Sequence, residues 1–444
     1  MPEIAAARFV RYAGSADLTS RVCPPYDVID DAGRQALEAK SPENYVRLIL
    51  PQPRPGDGPL DRYVRARKTL DGWIASGVMA RDREPSLFLL EQEFVDPTTG
   101  DRRVRRGIQA VVRLREFKEG VILPHERTLS GPKADRLELM KAVRAHLSPI
   151  FILYPDPANE VLGAAAAELQ RPPTVTAEAA GATHRAWRVT DPAIIRAVTG
   201  RIAPLKGYIA DGHHRYETAL EFRARARQEG RKVEGTPLDY IPAFLCGMSD
   251  PGLVIFPTHR LVHSMEADLS LLARASPWFE IAELPGLTLD QDTGLRSALA
   301  SLAEVGRAGR IAFLVADTKG GAALITLRRD APLQSVPSLP AAPSLRSFDI
   351  SILHAVIFEH LLGMSREAQE RQLHLRYEKD ARHAVARVRS GEARLAFLLN
   401  PTRMDKVREI AEAGEVMPQK STYFYPKIID GLALQLLDDD AGAP

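Results

Sequence analysis

The run Tyr208-Ile209-Ala210-Asp211-Gly212-His213-His214-Arg215 carries the densest chemistry in the chain. An apolar stretch ends in an aspartate, and a glycine lets the backbone turn closely. Two imidazoles and a guanidinium then stand where a helical pattern, RYETALEFRARARQEG, begins. The N–H groups and positive dipole end of a helix favour an anion, and arginine offers a planar fork suited to phosphate. Asp211, Gly212, His214 and Arg215 are therefore candidates for holding a phosphate or carboxylate, with His213 beside them as a candidate catalytic residue. The alternative is a capped helix whose histidines satisfy local backbone groups.

A second cluster, Leu123-Pro124-His125-Glu126 followed by TLSGPKADR, offers His125 and Glu126 for acid–base work and Ser130, Lys133 and Arg136 around a Gly-Pro turn. A solvated loop with ordinary capping residues explains it equally well. A third, MPQKSTYFYPK, could donate to an anion from Lys420, Ser421 and Thr422, or it is an edge strand that Lys and Pro protect from further pairing. In CPPYDVI, Asp27 is either a substrate or metal ligand or the N-cap of the helix DDAGRQALEAK.

The elements that must position these residues are alternating. DRYVRARKTLDGWIASGVM has helical periodicity, with Tyr63, Leu70, Trp73 and Ile74 on one face. SLFLLEQEF and RRGIQAVVRLREF read as a strand pair around the turn DPTTGD. DRLELMKAVRAHL reads as a helix capped by Asp135, and SPIFILYPD as a buried strand. A helix around VLGAAAAEL and a strand around HRAWRVT follow, then the strand LKGYIAD leading into the DGHHR turn. DYIPAFLCGMSD, GLVIFPTHRLV and RIAFLVAD are further strands, LRSALASLAEVG is a helix, and APLQSVPSLPAAPSL has a linker's composition. FDISILHAVIFEHLLG reads as a helix, before the strands ARLAFLLN and STYFYPKII. The class is mixed α/β (α+β), a multi-layer mixed sheet with antiparallel hairpins. Four parts are expected: 1–155, 156–265 with the DGHHR turn, a small α/β part over 266–330, and 346–444.

Composition narrows the function. The 444 residues carry 59 Lys and Arg against 57 Asp and Glu, a net charge of +2, which lacks the basic excess of a nonspecific nucleic-acid or membrane binder. No run approaches the ~20 apolar residues of a membrane helix, and no signal-peptide pattern opens the chain, so a cytoplasmic location is expected. Cys23 and Cys246 are too few for a disulfide framework. There is no Walker-type G-x-x-x-x-G-K-[ST] and no G-x-G-x-x-G, and the segment from Gly247 to Gly252 spaces its glycines wrongly for a serine-hydrolase elbow. His259 and His263 have metal-pair spacing, but FPTHRLVHS reads as a strand, where that spacing is too long for easy chelation.

PPYDVI, HERTLSGPKADRL, SPIF, ADGHHRYETAL, FPTHRLV and MPQKSTYFYPKIIDGL together resemble the domain-of-unknown-function 1015 family of bacterial and archaeal proteins. The match runs from residue 24 to residue 432, and it brings no established activity. More locally, strand, DGHHR and helix are similar to the ParB/sulfiredoxin superfamily, whose members include kinases of free serine and CTP-binding DNA segregation proteins. That resemblance implies Gly212, His213, His214 and Arg215 as phosphate contacts.

The expectation is a nucleotide or other phosphate ligand at the DGHHR turn, with Mg²⁺, and phosphoryl transfer to a small hydroxyl-bearing metabolite. Glu126 or His125 would accept the hydroxyl proton, Lys133, Arg136 and Lys420 would neutralise charge, and Asp211 would help place the metal. Two alternatives stand beside it. One is metal-dependent hydrolysis with Asp211, His213, His214 and His259 as ligands; the other is a noncatalytic sensor of a nucleotide or anionic metabolite. A small-molecule substrate is expected as partner; nucleic acid and membrane are not.

Overall fold

A computed structural model describes residues 2–126, 128, 130–284, 289 and 292–438, leaving aside the side chains of residues 130–132 and 292. The chain divides into two compact units. The first comprises Met1–Pro124, Thr128–Val254 and Phe424–Pro444, and the second His125–Arg127 and Ile255–Tyr423.

The first unit is built on a nine-stranded mixed sheet. Its strands are β1 (Ile4–Ala5), β2 (Leu87–Val95), β3 (Arg102–Arg113), β4 (Ile122–Leu123), β5 (Ile150–Tyr154), β6 (Val175–Ala179), β7 (Ala182–Val189), β8 (Gly207–Asp211) and β9 (Tyr240–Gly247). They lie in the order β4-β8-β5-β9-β3-β2-β7-β6, with β1 also paired to β3. The β8–β4 and β9–β5 pairs are parallel and the other pairs antiparallel. As the alternation around DPTTGD predicts, β2 and β3 form a hairpin, with Phe88 opposite Gln109 and Val95 opposite Arg102. Every residue of β5 is buried, because strands flank it on both sides and its aliphatic side chains enter the core with Ile108, Ile209 and Ile241.

Four helices matter for the site: α1 (Asp31–Lys40), α2 (Asp61–Ala75), α3 (Ser130–Val143) and α4 (His213–Gln228). Helix α2 buries Tyr63, Ala66, Leu70 and Trp73, the stripe its periodicity predicts, while Ile74 stays half-buried. Helix α4 turns Phe222 and Ala226 against Leu137 and Met140 of α3. Its Tyr216 hydroxyl is fixed on the Arg115 backbone, accepting from the N–H at 2.9 Å and donating to the carbonyl at 2.8 Å.

The second unit carries a six-stranded antiparallel sheet. Its strands are β10 (His259–Val262), β11 (Phe279–Glu283), β12 (Ala312–Asp317), β13 (Ala322–Leu327), β14 (Leu375–Glu378) and β15 (Leu395–Leu398), in the order β11-β13-β12-β15-β10-β14. One face packs on the apolar helical run Asp349–Ile352 and Leu353–Leu361, the other on Asp292–Arg307 and Ala381–Arg389. No helix among the described residues is long and apolar enough to cross a membrane.

Several local expectations need correction. Helix α3 begins at Ser130, five residues before Asp135, because a proline in the first turn gives up an N–H that has no intrahelical partner anyway. Asp135 is thus not an N-cap; it accepts from Arg62 at 2.8 Å, Tyr63 at 2.6 Å and Arg136 at 2.9 Å. Helix α1 is capped by Asp30, which accepts from the Gly33 N–H at 2.7 Å, and Asp27 lies in the preceding 3-10 turn. VLGAAAAEL is a short helix, Glu160–Gly163, followed by the 3-10 turn Ala166–Gln170. FPTHRLV is broken at Pro257, and Leu353–Leu361 is wound as a π-helix. APLQSVPSLPAAPSL holds a 3-10 turn and the start of the helix Pro343–Arg346.

Gly107 shows how closely the central strands approach: a Cβ there would lie 2.4 Å from the Leu245 carbonyl oxygen and 2.6 Å from the Phe244 ring. Gly107→Ala should lower the free energy of unfolding by about 2–3 kcal/mol in urea titrations, the range of overpacked cores. An unchanged midpoint would show that this contact yields without cost.

Candidate functional site

The site of the first unit is organised at the end of β8. The β8–β5 pairing is regular at Ile209 and Ile152, then shifts register so that Asp211 faces Phe151. Such an irregularity re-aims side chains at the end of a strand. Gly212 follows with φ +90°, and a Cβ there would stand 2.9 Å from Ile150 Cγ2 and 3.1 Å from Arg215 Nε. Both the left-handed backbone and the close approach require glycine. Helix α4 starts at once, with His213, His214 and Arg215 as its first three residues and no side chain capping it at Gly212. His213 is buried and His214 half-buried.

Asp211 is shared by two cations. Its Oδ2 accepts from Arg215 Nη2 at 2.6 Å, and its Oδ1 accepts from Lys427 Nζ. Burial opposes its ionised form, but Lys427 and then Arg215 outweigh burial and hold the carboxyl well below the usual range. Arg215 also donates to the Pro149 carbonyl. Although burial disfavours its charge, Asp211, Asp430 and Asp27 stabilise it and raise its pKa.

Around this pair stand residues from distant parts of the first unit. The Arg136 guanidinium lies 4.2 Å from the centre of the Tyr26 ring and donates to the Ile49 carbonyl at 2.6 Å. Tyr26, Arg136, His146, Ser148, Arg215 and Thr218 line a cavity of about 40 Å³. Burial pushes His146 down to about 4, so it is neutral. Asp430 is fully buried, its Oδ2 accepting from Ser148 at 2.8 Å while Oδ1 has no partner among the described residues. Burial pushes this carboxyl up to about 7, against the pull of Arg215 and the Ser148 hydrogen bond. Lys133 donates to Glu217 at 2.6 Å, and the Thr128 hydroxyl bridges both oxygens of the same carboxylate at 2.9 and 2.8 Å.

The segment carrying Lys427 and Asp430 is itself fastened from below. The buried Arg105 donates to the carbonyls of Tyr425 and Pro426 and lies over the Phe151 ring, and Gln92 donates to the Lys427 carbonyl at 3.1 Å.

The remaining sequence candidates belong to the second unit. His125 is fully buried, with Nε2 2.9 Å from the Thr422 hydroxyl, and its carbonyl accepts from the Met417 N–H at 2.8 Å. Glu126 is bridged in parallel to Met417. Lys420 is exposed at φ 55°, and its carbonyl accepts from Arg260 at 3.1 Å. The Ser421 hydroxyl donates to the Pro418 carbonyl, so this donor closes its own turn. His259 is buried and accepts from the Leu399 N–H at 3.2 Å, and burial pushes it down to about 3.

Asp27, Lys133, Arg136, Asp211, Gly212, His213, His214 and Arg215 thus fall in one unit, and His125, Glu126, Lys420, Ser421 and Thr422 in the other. Ser130's side chain lies outside the described residues. Sequence reasoning did not single out Tyr26, Ser148, Glu217, Lys427 or Asp430. Tyr26 and Lys427 sit inside runs it did read, PPYDVI and MPQKSTYFYPK, where the charge of Lys427, one proline beyond the aromatic run, was the available signal. No group of three or more His, Cys, Asp or Glu side chains among the described residues is placed to hold a metal.

Residues 4–351 match the family described as "Protein of unknown function (DUF1015)". The chain belongs to this family. No curated protein matches it. Among solved structures, it is similar to a conserved hypothetical protein from Pyrococcus furiosus at 15% identity and a TM-score of 0.34, over 71% of this chain and 93% of that one. It is also similar to a free serine kinase in complex with AMP, at 14% identity and 0.33, over 69% and 84%. A third is SbnI from Staphylococcus aureus, with a C-terminal truncation, at 9% identity and 0.35, over 75% and 90%.

The raised pKa of Asp430 sets a pH dependence. A carboxyl protonated more readily in the folded state stabilises the fold below its unfolded pKa, and that contribution is lost as pH rises from the ordinary carboxylate range through about 7. Asp430→Asn should therefore unfold at a higher temperature than wild type at pH 8, with the difference shrinking toward pH 4. The gap at pH 8 should be on the order of 1–3 kcal/mol. A gap independent of pH in calorimetric scans would refute the shift.

Proposed function

We propose that this protein binds a nucleotide or another phosphate ligand at the first turn of α4 and transfers a phosphoryl group to a small hydroxyl compound. The observation that carries the reading is the convergence of two cations, Arg215 and Lys427, on the single carboxylate of Asp211 beside the first turn of α4. Two cationic side chains stand here beside the positive end of a sixteen-residue helix, a combination that favours an anion. The local likeness of the strand–DGHHR–helix run to the ParB/sulfiredoxin superfamily supports the same contacts.

Gly212 admits the ligand to the backbone, Arg215 and His214 donate to its oxygens, and Arg136 and Lys133 add positive charge. Phosphoryl transfer demands chiefly positioning and charge neutralisation. The hydroxyl oxygen forms the new bond to phosphorus as the bond to the leaving phosphate oxygen breaks, and His213 takes the hydroxyl proton. The residues present do not fit a Mg²⁺ held by the protein, since both oxygens of Asp211 accept from cationic side chains.

A thermal-shift panel of ATP, ADP, CTP, GTP and pyrophosphate, each with and without Mg²⁺, tests the binding. At a hundredfold excess over Kd, a ligand specific for the folded state adds about 2.7 kcal/mol. Arg215→Ala should weaken binding by roughly one to two orders of magnitude, the loss of a charge-assisted hydrogen bond. His214→Ala, which leaves the Asp211–Arg215 pair in place, should weaken it less. Absence of a shift with every phosphate compound on the wild-type protein would defeat the proposal. Binding without turnover of any hydroxyl compound would reduce it to a sensor.

A further inference from the structure

The first unit has a second concave surface, away from the end of β8. It encloses about 480 Å³, within the range of small-molecule sites, and its wall carries Arg11, Arg81, Asp82, Arg83, Glu84 and Arg188. Arg11 comes from the strand Val10–Tyr12, which pairs antiparallel with Met79–Arg81, and Arg188 comes from β7 of the nine-stranded sheet. The Asp82 side chain, 5% exposed, ties the two together. Its Oδ1 accepts from Arg11 Nε at 2.8 Å and its Oδ2 from Arg188 Nε at 3.2 Å. Arg188 Nη2 also donates to the Glu84 carbonyl at 3.0 Å. Guanidiniums from two different sheets are thereby held on one carboxylate.

The rest of each fork is open. Arg11 Nη1 and Nη2 and Arg188 Nη1 make no hydrogen bond among the described residues, and none of them is an enclosed atom. The two side chains keep 28% and 22% of their surface, so these N–H groups reach the solvent that fills the cavity. Arg83 is exposed and has no hydrogen bond or ion pair among the described residues. Both Asp82 oxygens already accept, which leaves Glu84 as the other carboxylate on a wall of four guanidiniums. A buried carboxylate that fixes two planar forks, with their outer N–H groups toward solvent, orients them before any ligand arrives.

We propose that this cavity binds a small organic anion, its carboxylate or phosphate oxygens accepting from the outer nitrogens of Arg11 and Arg188 and its charge met also by Arg83. The inference is independent of the phosphate site at α4. Along one row of the sheet Asp211 faces Phe151, Phe151 faces Phe244, Phe244 faces Gln109, Gln109 faces Phe88 and Phe88 faces Arg188. Successive interstrand steps of roughly 4.8 Å put Arg188 about 24 Å from Asp211, beyond what one small ligand spans. A cation would meet like charge here, and a neutral compound would gain little from the open forks.

Calorimetric titration of the full chain with succinate and with glycerol 3-phosphate, beside the neutral succinamide, tests the proposal. At least one of the two anions should bind saturably and roughly tenfold or more tighter than succinamide, and the tighter of them identifies the oxyanion group. Arg11→Gln should weaken that binding by roughly tenfold or more, the loss of a charge-assisted hydrogen bond. Arg83→Ala should weaken it by roughly threefold, as for an exposed charge, and because Arg83 has no partner in the fold the melting temperature should not fall. Arg215→Ala, at the other site, should leave the binding in place. No saturable binding of either anion, equal binding of succinamide, undiminished binding by Arg83→Ala, or loss of binding in Arg215→Ala alone would each overturn the assignment.

Discussion

Everything in the first unit's site depends on one carboxylate. Asp211 is the last residue of its strand and stands against Arg215, one turn into the next helix, and against Lys427. A buried ionised carboxylate is costly unless its neighbours supply charge and hydrogen bonds, and here two cations do so. The same contacts set the direction of Arg215, which also reaches Pro149, and bring it beside Asp430. Loss of Asp211 would leave two buried cations facing each other, so the carboxylate is the member of the cluster whose removal disturbs most.

Two aspartates beside Arg215 behave in opposite ways, Asp211 half-buried and Asp430 fully buried. Asp211 has a cation on each oxygen and is pulled down; Asp430 has a hydroxyl donor on one oxygen, no partner for the other among the described residues, and is pushed up. Two carboxyls of one chemical type around one guanidinium are thereby separated, one held ionised and one holding its proton until near neutrality.

The sequence displayed what is local. The strand, the glycine and the helix around DGHHR could be read because apolar run, turn former and helical period follow one another within twenty residues, and the β2–β3 hairpin was legible for the same reason. What it hid depends on distance or on context. Lys427 reaches Asp211 across 216 positions, and a lysine after an aromatic strand looks like any edge residue. Pro132 reads as a loop residue, yet it sits in the first turn of α3, which moved the helix start and removed Asp135 from its expected capping role. FDISILHAVIFEHLLG has helical periodicity but nothing that announces a wider winding; the run is buried on most of its circumference, and packing sets its pitch.

The first unit is interrupted in the chain, with Ile255–Tyr423 forming the bulk of the second before the segment from Phe424 returns to it. A ribosome releases residues in order, so Asp211 and Arg215 emerge long before Lys427 and Asp430. Until Lys427 emerges, Asp211 lacks the cation from which its Oδ1 accepts. The cluster around Asp211 is assembled only once the segment carrying Lys427 and Asp430 has been made.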